Sequence, residues 1–200
     1  MRRNTAILLF DDVEVLDFAG PFEVFSVTDE MAAHTLFNVY TVAEKPGTIL
    51  ARNGLKIVPD HTLESAPAAN VLVIPGGYGT RALLKKPSLV EWVRRQAKGA
   101  EVIVSVCTGA LVLAQAGLLD GLDVTTHREN LDELARLAPS ARVHGNRRFH
   151  DNGRILTAAG ISAGIDVSLH VVARLHGDAA ATRTAQYMEY HWRNDAGAQR

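Results

Sequence analysis

One cysteine in 200 residues is the first limit on what this chain can be. A lone thiol forms no intrachain disulfide, so a disulfide-stapled scaffold is excluded and a reducing, cytoplasmic setting is expected. No apolar run approaches the roughly 20 residues of a membrane helix. The run from Ala6 to Phe10 behind Arg2 and Arg3 also falls short of the about 7–15 of a signal peptide, so no membrane partner is expected. A basic surplus is missing too. Lys and Arg total 21 against 22 Asp and Glu, a net charge of −1. Binding nucleic acid by charge normally needs an excess of basic residues, so no nucleic-acid partner is expected. The eight histidines form no His-Glu-x-x-His pattern and have no cysteine pair to join, so no metal site is read here. Gly77-Tyr78-Gly79 does not complete a Gly-x-Gly-x-x-Gly loop, which leaves nucleotide binding poorly supported. The 16 glycines and 7 prolines follow no period, which excludes collagen-like and low-complexity chains.

What remains is an ordinary globular composition, 47% hydrophobic and 22% charged. The length fits one domain, expected over residues 1–192, with a disordered tail over 193–200. Short unbroken apolar runs at residues 6–10, 71–74 and 102–106 read as strands buried on both faces, the kind found in parallel sheets. Residues 36–42 read as a further strand. Gly20-Pro21 predicts a helix starting near residue 20, because proline suits a first helical position. Asn53-Gly54 and Asp151-Asn152-Gly153 predict two hairpin turns. Helical spacing recurs at Leu89, Trp92, Val93 and Ala97, at Leu131, Leu134 and Leu137, and at Ile165, Leu169 and Val172. Ser162 and Asp178 are candidate caps for the last two helices, and Gly177 is a candidate stop between them. Strands alternating with helices predict an α/β fold with a mostly parallel central sheet and helices on both faces. Ligands in such folds sit beyond the carboxyl ends of the strands.

Cys107 follows a buried strand directly and precedes Thr108-Gly109-Ala110, small residues that permit a sharp strand-to-helix turn. That is the layout of a nucleophile elbow, and the following helix N-terminus is expected to favour a thiolate. A buried structural cysteine is the competing reading. Gly76 and Gly77 follow another strand, where their N–H groups could serve as an oxyanion hole; a plain turn is the alternative. Asp17 sits among Val15, Leu16 and Phe18, where an acid is costly unless it caps a helix, pairs or functions. His127 ends the strand-like Val124-Thr125-Thr126 and could serve Cys107 as base or ion-pair partner, although most single histidines are ordinary surface residues.

These residues occur in recognisable runs: Leu16-Asp17-Phe18-Ala19-Gly20-Pro21, Ile74-Pro75-Gly76-Gly77, Ser105-Val106-Cys107-Thr108-Gly109, Thr125-Thr126-His127 and Gly160-Ile161-Ser162-Ala163-Gly164. In this order and spacing the chain resembles the ThiJ/PfpI superfamily over nearly its whole length. The resemblance implies a flavodoxin-like, class I glutamine amidotransferase-like fold with an elbow cysteine. Within the superfamily the likeness is to the isonitrile hydratases and to the amino-terminal domains of AraC-type regulators. It implies Cys107 as nucleophile, with Thr108 and Asp17 beside it, His127 as a further catalytic candidate, and Gly76, Gly77, Thr108 and Ile161 around the substrate. It also implies a homodimer, for which Phe22, Phe25 and Tyr187 offer an apolar face. The regulators carry an added helix-turn-helix domain, expected to be absent because the chain ends soon after Tyr190. Two features depart from related branches. Thr108 stands where the protease-like branch has histidine, and Arg128-Glu129-Asn130 stands where hydratases often carry an aromatic.

The function these features imply is a cofactor-free, cysteine-dependent hydratase or lyase on a small electrophilic substrate, specifically isonitrile to N-substituted formamide. The alternatives are an oxidisable-cysteine stress protein, a glyoxalase- or deglycase-like activity, and a non-catalytic ligand-binding module.

Overall fold

The computed structural model describes residues 2–192. The tail expected over 193–200 lies outside the described residues. In chain order the elements are β1 (Arg3–Leu8), α1 (Val15–Met31), β2 (Phe37–Ala43), β3 (Ile49–Leu50), β4 (Lys56–Ile57), β5 (His61–Thr62), β6 (Val71–Ile74), α2 (Thr80–Leu83) and α3 (Pro87–Gly99). They continue with β7 (Val102–Val106), α4 (Gly109–Gln115), β8 (Asp123–Val124), α5 (Leu131–Leu137), β9 (Arg142–Val143), β10 (Phe149–Asp151), β11 (Ile155–Ala158), α6 (Ala163–His176) and α7 (Asp178–Tyr187).

Seven strands form one sheet in the order β10-β11-β7-β6-β1-β2-β5. Every pairing in it is parallel except β10 with β11. The unbroken apolar strands occupy its middle because helices cover both faces there. Helices α1, α6 and α7 pack together in one layer, and α3, α4 and α5 in the other. Val71 pairs with Val102 and Ile74 with Ser105, so β6 and β7 end almost level. The loops that follow them therefore emerge side by side at the carboxyl edge, where β1 also ends.

The expected hairpins are present: β3 pairs antiparallel with β4 across Arg52–Gly54, and β10 with β11 across Asn152 and Gly153. The first helix differs from expectation. It starts at Val15, and Pro21 lies inside it rather than at its first position. Proline costs the helix one N–H bond, the one to the carbonyl of Asp17. The helix is buried against the sheet on one side and against α6 and α7 on others. Its exposed positions include the apolar Leu16 and Phe22 and its buried ones include Asp17, so no amphipathic rhythm marks its start. Ser162 precedes α6 but makes no capping bond; its hydroxyl accepts from Arg148. Phe25 is fully buried and packs on Phe37 at 5.1 Å between ring centroids, so it belongs to the core and not to an outer apolar face. Phe22 and Tyr187 are exposed. No helix among the described residues is long and apolar enough to cross a membrane.

Candidate active site

Cys107 occupies a backbone conformation that side chains rarely adopt, with φ at 55°. The surroundings hold it there. Its N–H is shared between the carbonyls of Ala158 (3.1 Å) and Ala159 (2.9 Å), and its own carbonyl accepts the Thr126 hydroxyl at 2.7 Å. Such strain persists only where neighbours over-determine it, and it turns the side chain out of the strand into the loop crevice.

The crevice is built by three loops. Residues 75–79 leave β6 and meet the loop after β1 through a bridge between Gly77 and Val13. Gly77 has φ at 134°, and a Cβ on it would lie 2.3 Å from the Asp12 carbonyl oxygen, so only glycine fits. Glu14 N–H donates to the Gly76 carbonyl at 2.9 Å and fixes the start of α1 against the same loop. Asp17 is thereby carried in on the first turn of α1, fully buried. It caps nothing on its own helix. Its Oδ2 accepts the Gly76 N–H at 2.9 Å, and its Oδ1 has no hydrogen-bond partner.

Burial pushes the Asp17 carboxyl up to about 7, with the charge of Glu14 adding to the rise and the Gly76 N–H and the Cys107 thiol opposing it. Burial also pushes the Cys107 thiol up to about 12, and the neighbouring Asp17 charge pushes the same way. The main-chain N–H and the hydroxyl of Thr108 favour a thiolate without overcoming burial. The expectation that the helix N-terminus would yield a resting thiolate is thus not met. The helix α4 is only seven residues long, and burial of the thiol, which meets the pocket with just 7% of the residue exposed, outweighs it.

Thr108 is buried beside the cysteine. Its hydroxyl accepts the Gly77 N–H at 2.9 Å and reaches the Gly77 carbonyl at 3.2 Å. Both glycine N–H groups are therefore engaged, Gly76 by Asp17 and Gly77 by Thr108. His127 and Ile161 line the same pocket of about 340 Å³, with Ile161 at φ 49°. The His127 ring packs against Gly160 and its Nδ1 accepts the Glu129 N–H at 3.3 Å. Among the described residues, no hydrogen bond joins His127 to Cys107. Cys107, Asp17, Thr108, Gly76 and Gly77 thus form one connected cluster, with His127 and Ile161 on its wall.

Several wall residues carried no sequence signal. Arg52, on the turn between β3 and β4, donates to Glu14 (2.9 Å) and to the Tyr78 hydroxyl (3.0 Å). Arg81 pairs with Glu133. Among the described residues no group of three or more His, Cys, Asp or Glu side chains is arranged to hold a metal ion.

An open, mostly parallel α/β sheet with a strained cysteine at its carboxyl edge, facing a buried carboxyl from the first helix, defines a class of protein. The chain belongs to the DJ-1/PfpI family, whose model matches residues 3–174. It is similar to isonitrile hydratase of Pseudomonas putida, 32% identical over 190 residues that cover 95% of this chain and 79% of that one. It is also similar to the HTH-type transcriptional regulator GbdR of Pseudomonas aeruginosa, 28% identical over 99% of this chain. The chain spans only about half of that regulator, 54% of its length. Among solved structures, a ThiJ/PfpI family protein from Pseudomonas syringae superposes with a TM-score of 0.86 at 30% identity, covering 95% of this chain and 76% of that one. Drosophila melanogaster DJ-1beta superposes at 0.84 with 19% identity over 96% of this chain and all of that one, a likeness of fold alone.

Proposed function

We propose that the protein hydrates small isonitriles to N-substituted formamides, with Cys107 as nucleophile and Asp17 as proton carrier. The observation that carries this reading is the unpartnered Oδ1 of a fully buried Asp17 beside the elbow thiol. A carboxyl poised near neutrality can take up and return a proton within one turnover. The similarity to isonitrile hydratase across 95% of the chain supports the same reaction.

The thiol, neutral at rest, loses its proton to Asp17 as sulfur attacks the terminal isonitrile carbon. Asp17 returns that proton to the same carbon, giving a thioimidate, S–CH=N–R. Water then adds to the carbon, and one of its protons goes to nitrogen through Asp17. The resulting S–CH(OH)–NH–R collapses as the C–S bond breaks. The hydroxyl proton returns to sulfur, again through Asp17, and the formamide leaves. Thr108 steadies the sulfur through its N–H and orients the water through its hydroxyl.

The test is formation of formyl-proton signal from a simple alkyl isonitrile, followed by NMR. Cys107→Ala and Asp17→Asn are expected to abolish it while keeping the fold. An unchanged rate in Cys107→Ala would remove the nucleophile assignment. Oxidation sensing is the weaker alternative, because the oxidisable form is the thiolate and this thiol is held neutral. A ligand-binding module draws support from the regulators that match 99% of the chain; binding of an isonitrile without turnover would favour it.

A further inference from the structure

Ile161 is the one large apolar side chain on a pocket wall otherwise made of polar and charged groups. Two arginines lie on that wall, and each already faces a carboxylate. Arg52 gives one nitrogen to Glu14 and another to the Tyr78 hydroxyl. Arg81 gives Nε and Nη2 to Glu133. The wall holds one more carboxylate, Glu129, and this one has no ion pair or side-chain hydrogen bond among the described residues. Its neighbour Arg128 does not line the pocket.

Glu129 is also held in place. It sits in the short 3-10 turn Arg128–Asn130, whose entry is capped by His127: the imidazole Nδ1 accepts the Glu129 N–H at 3.3 Å. The His127 carbonyl accepts the Asn130 N–H at 2.8 Å, and the Asn130 side chain donates to Glu133 at 3.2 Å. An exposed carboxylate on a pinned turn, lining the same pocket as two arginines already paired with carboxylates, gives the pocket a negative bias. The negative charge that Asp17 and Cys107 hold during reaction lies deeper and has the same sign.

We infer that this pocket selects small electrophiles whose substituent carries a positive charge, such as an aminoalkyl group, and that Glu129 is the residue that reads that charge. The inference deepens the hydratase reading and rests on its cysteine nucleophile. An exposed carboxylate a few ångströms from an ammonium group is worth about fivefold in rate or affinity in water, and more where the pocket wall lowers the local dielectric.

Cys107 is the only cysteine in the chain, so its modification reads the pocket field without any turnover. Three methanethiosulfonates would be compared, bearing an ammonium, a hydroxyl or a sulfonate, with rates normalised to a free small thiol. The expected result is a normalised ammonium-to-sulfonate ratio well above one, falling about 25-fold in Glu129→Gln (about fivefold for each charged reagent against the hydroxyl one) and inverting in Glu129→Lys. A ratio at or below one, or one that Glu129→Gln leaves unchanged, overturns the inference. Should the buried thiol resist all three reagents, the Ile161 methyl resonance would be followed during titration with propylammonium and with propionate. A shift with propylammonium that weakens in Glu129→Gln supports the inference; a shift with propionate alone, or with neither, overturns it. Aminoalkyl and alkyl isonitriles would then be compared as substrates. Absence of turnover with both, alongside an intact charge preference, would refute the hydratase reading and leave the charge selection standing.

Discussion

The main-chain N–H of Gly77 ends on the hydroxyl of Thr108, 2.9 Å away, and the same hydroxyl lies 3.2 Å from the Gly77 carbonyl. The hydroxyl thus accepts a short bond and directs its own proton along a longer one. Thr80 already gives the Gly77 carbonyl a hydrogen bond at 2.8 Å, so the Thr108 proton can turn toward the pocket at little cost.

Thr108→Val keeps the shape and removes both roles. It leaves the buried Gly77 N–H without an acceptor and the reacting water without a guide. Turnover is expected to fall about 10²-fold, in the range found for loss of one positioned donor. Thr108→Ser keeps the hydroxyl and is expected to stay within a few fold of wild type. Equal losses in the two variants, measured as kcat/KM for formamide formation, would show that the methyl group and not the hydroxyl matters.

Asp17 gives a pH signature. Burial, its largest influence, raises the folded carboxyl from 3.8 to about 7. Between those values the folded protein holds a proton that the unfolded chain has released. This group's contribution to stability is therefore intact below about pH 4 and is lost as pH rises toward 7. The full loss is roughly 4 kcal/mol at most, since each tenfold difference in proton affinity between the folded and unfolded chain is about 1.4 kcal/mol. Asp17→Asn keeps an acceptor for the Gly76 N–H and cannot ionise. Its denaturation midpoint is expected to exceed wild type at about pH 8, with the gap closing toward about pH 4. A gap independent of pH would mean that Asp17 titrates in the folded protein as it does in the unfolded chain, and that burial does not raise it. Wild-type kcat/KM should rise through about pH 7 as the carboxylate forms.

Gly160 offers a way to move His127 without changing its chemistry. A Cβ at residue 160 would lie 2.4 Å from His127 Cδ2. Gly160→Ala therefore displaces the ring, and His127→Gln removes it. If His127 only supports the wall, the two variants should raise KM by about tenfold and leave kcat near wild type. A fall in kcat with KM unchanged would assign His127 a part in proton transfer.

The chain carries its fold in the unbroken apolar runs that became β6 and β7, and its turns in Asn53-Gly54 and Asp151-Asn152-Gly153. Those signals are local, so they survive in one sequence. The start of α1 was not legible, because apolar Leu16 and Phe22 stand at exposed positions while Asp17 is buried, so its first turns show no polar face to mark the period. The site was half legible. Cys107, Thr108, Gly76 and Gly77 sit in short motifs beside strand ends, and Asp17 stands out as an acid among apolar neighbours. Arg52 and Arg81 do not, because ion pairs across loops far apart in sequence leave no pattern in either segment. The protonation of Cys107 was equally out of reach: motif and helix argued for a thiolate, and burial, which only the folded chain reveals, decided against it.

Asp29 ties the end of α1 to the start of β2. Its Oδ1 accepts the N–H groups of Leu36 (2.9 Å) and Phe37 (2.8 Å), and its Oδ2 accepts from Arg2 (2.7 Å). Burial pushes its carboxyl up, but the N–H groups of Phe37 and Leu36, with Arg2 and His34, outweigh burial and hold it below the usual value. Its stabilising effect is therefore present above about pH 4 and lost as pH falls. Asp29→Ala strips an acceptor from two N–H groups at the root of the second strand and is expected to cost about 2–4 kcal/mol. Asp29→Asn keeps one acceptor for them and is expected to cost about half as much, chiefly through the weakened bond to Arg2. Denaturant titration at neutral pH separates the two. If Asp29→Asn were as damaging as Asp29→Ala, the charge would matter more than the main-chain bonds, and Arg2→Ala should then reproduce most of the loss.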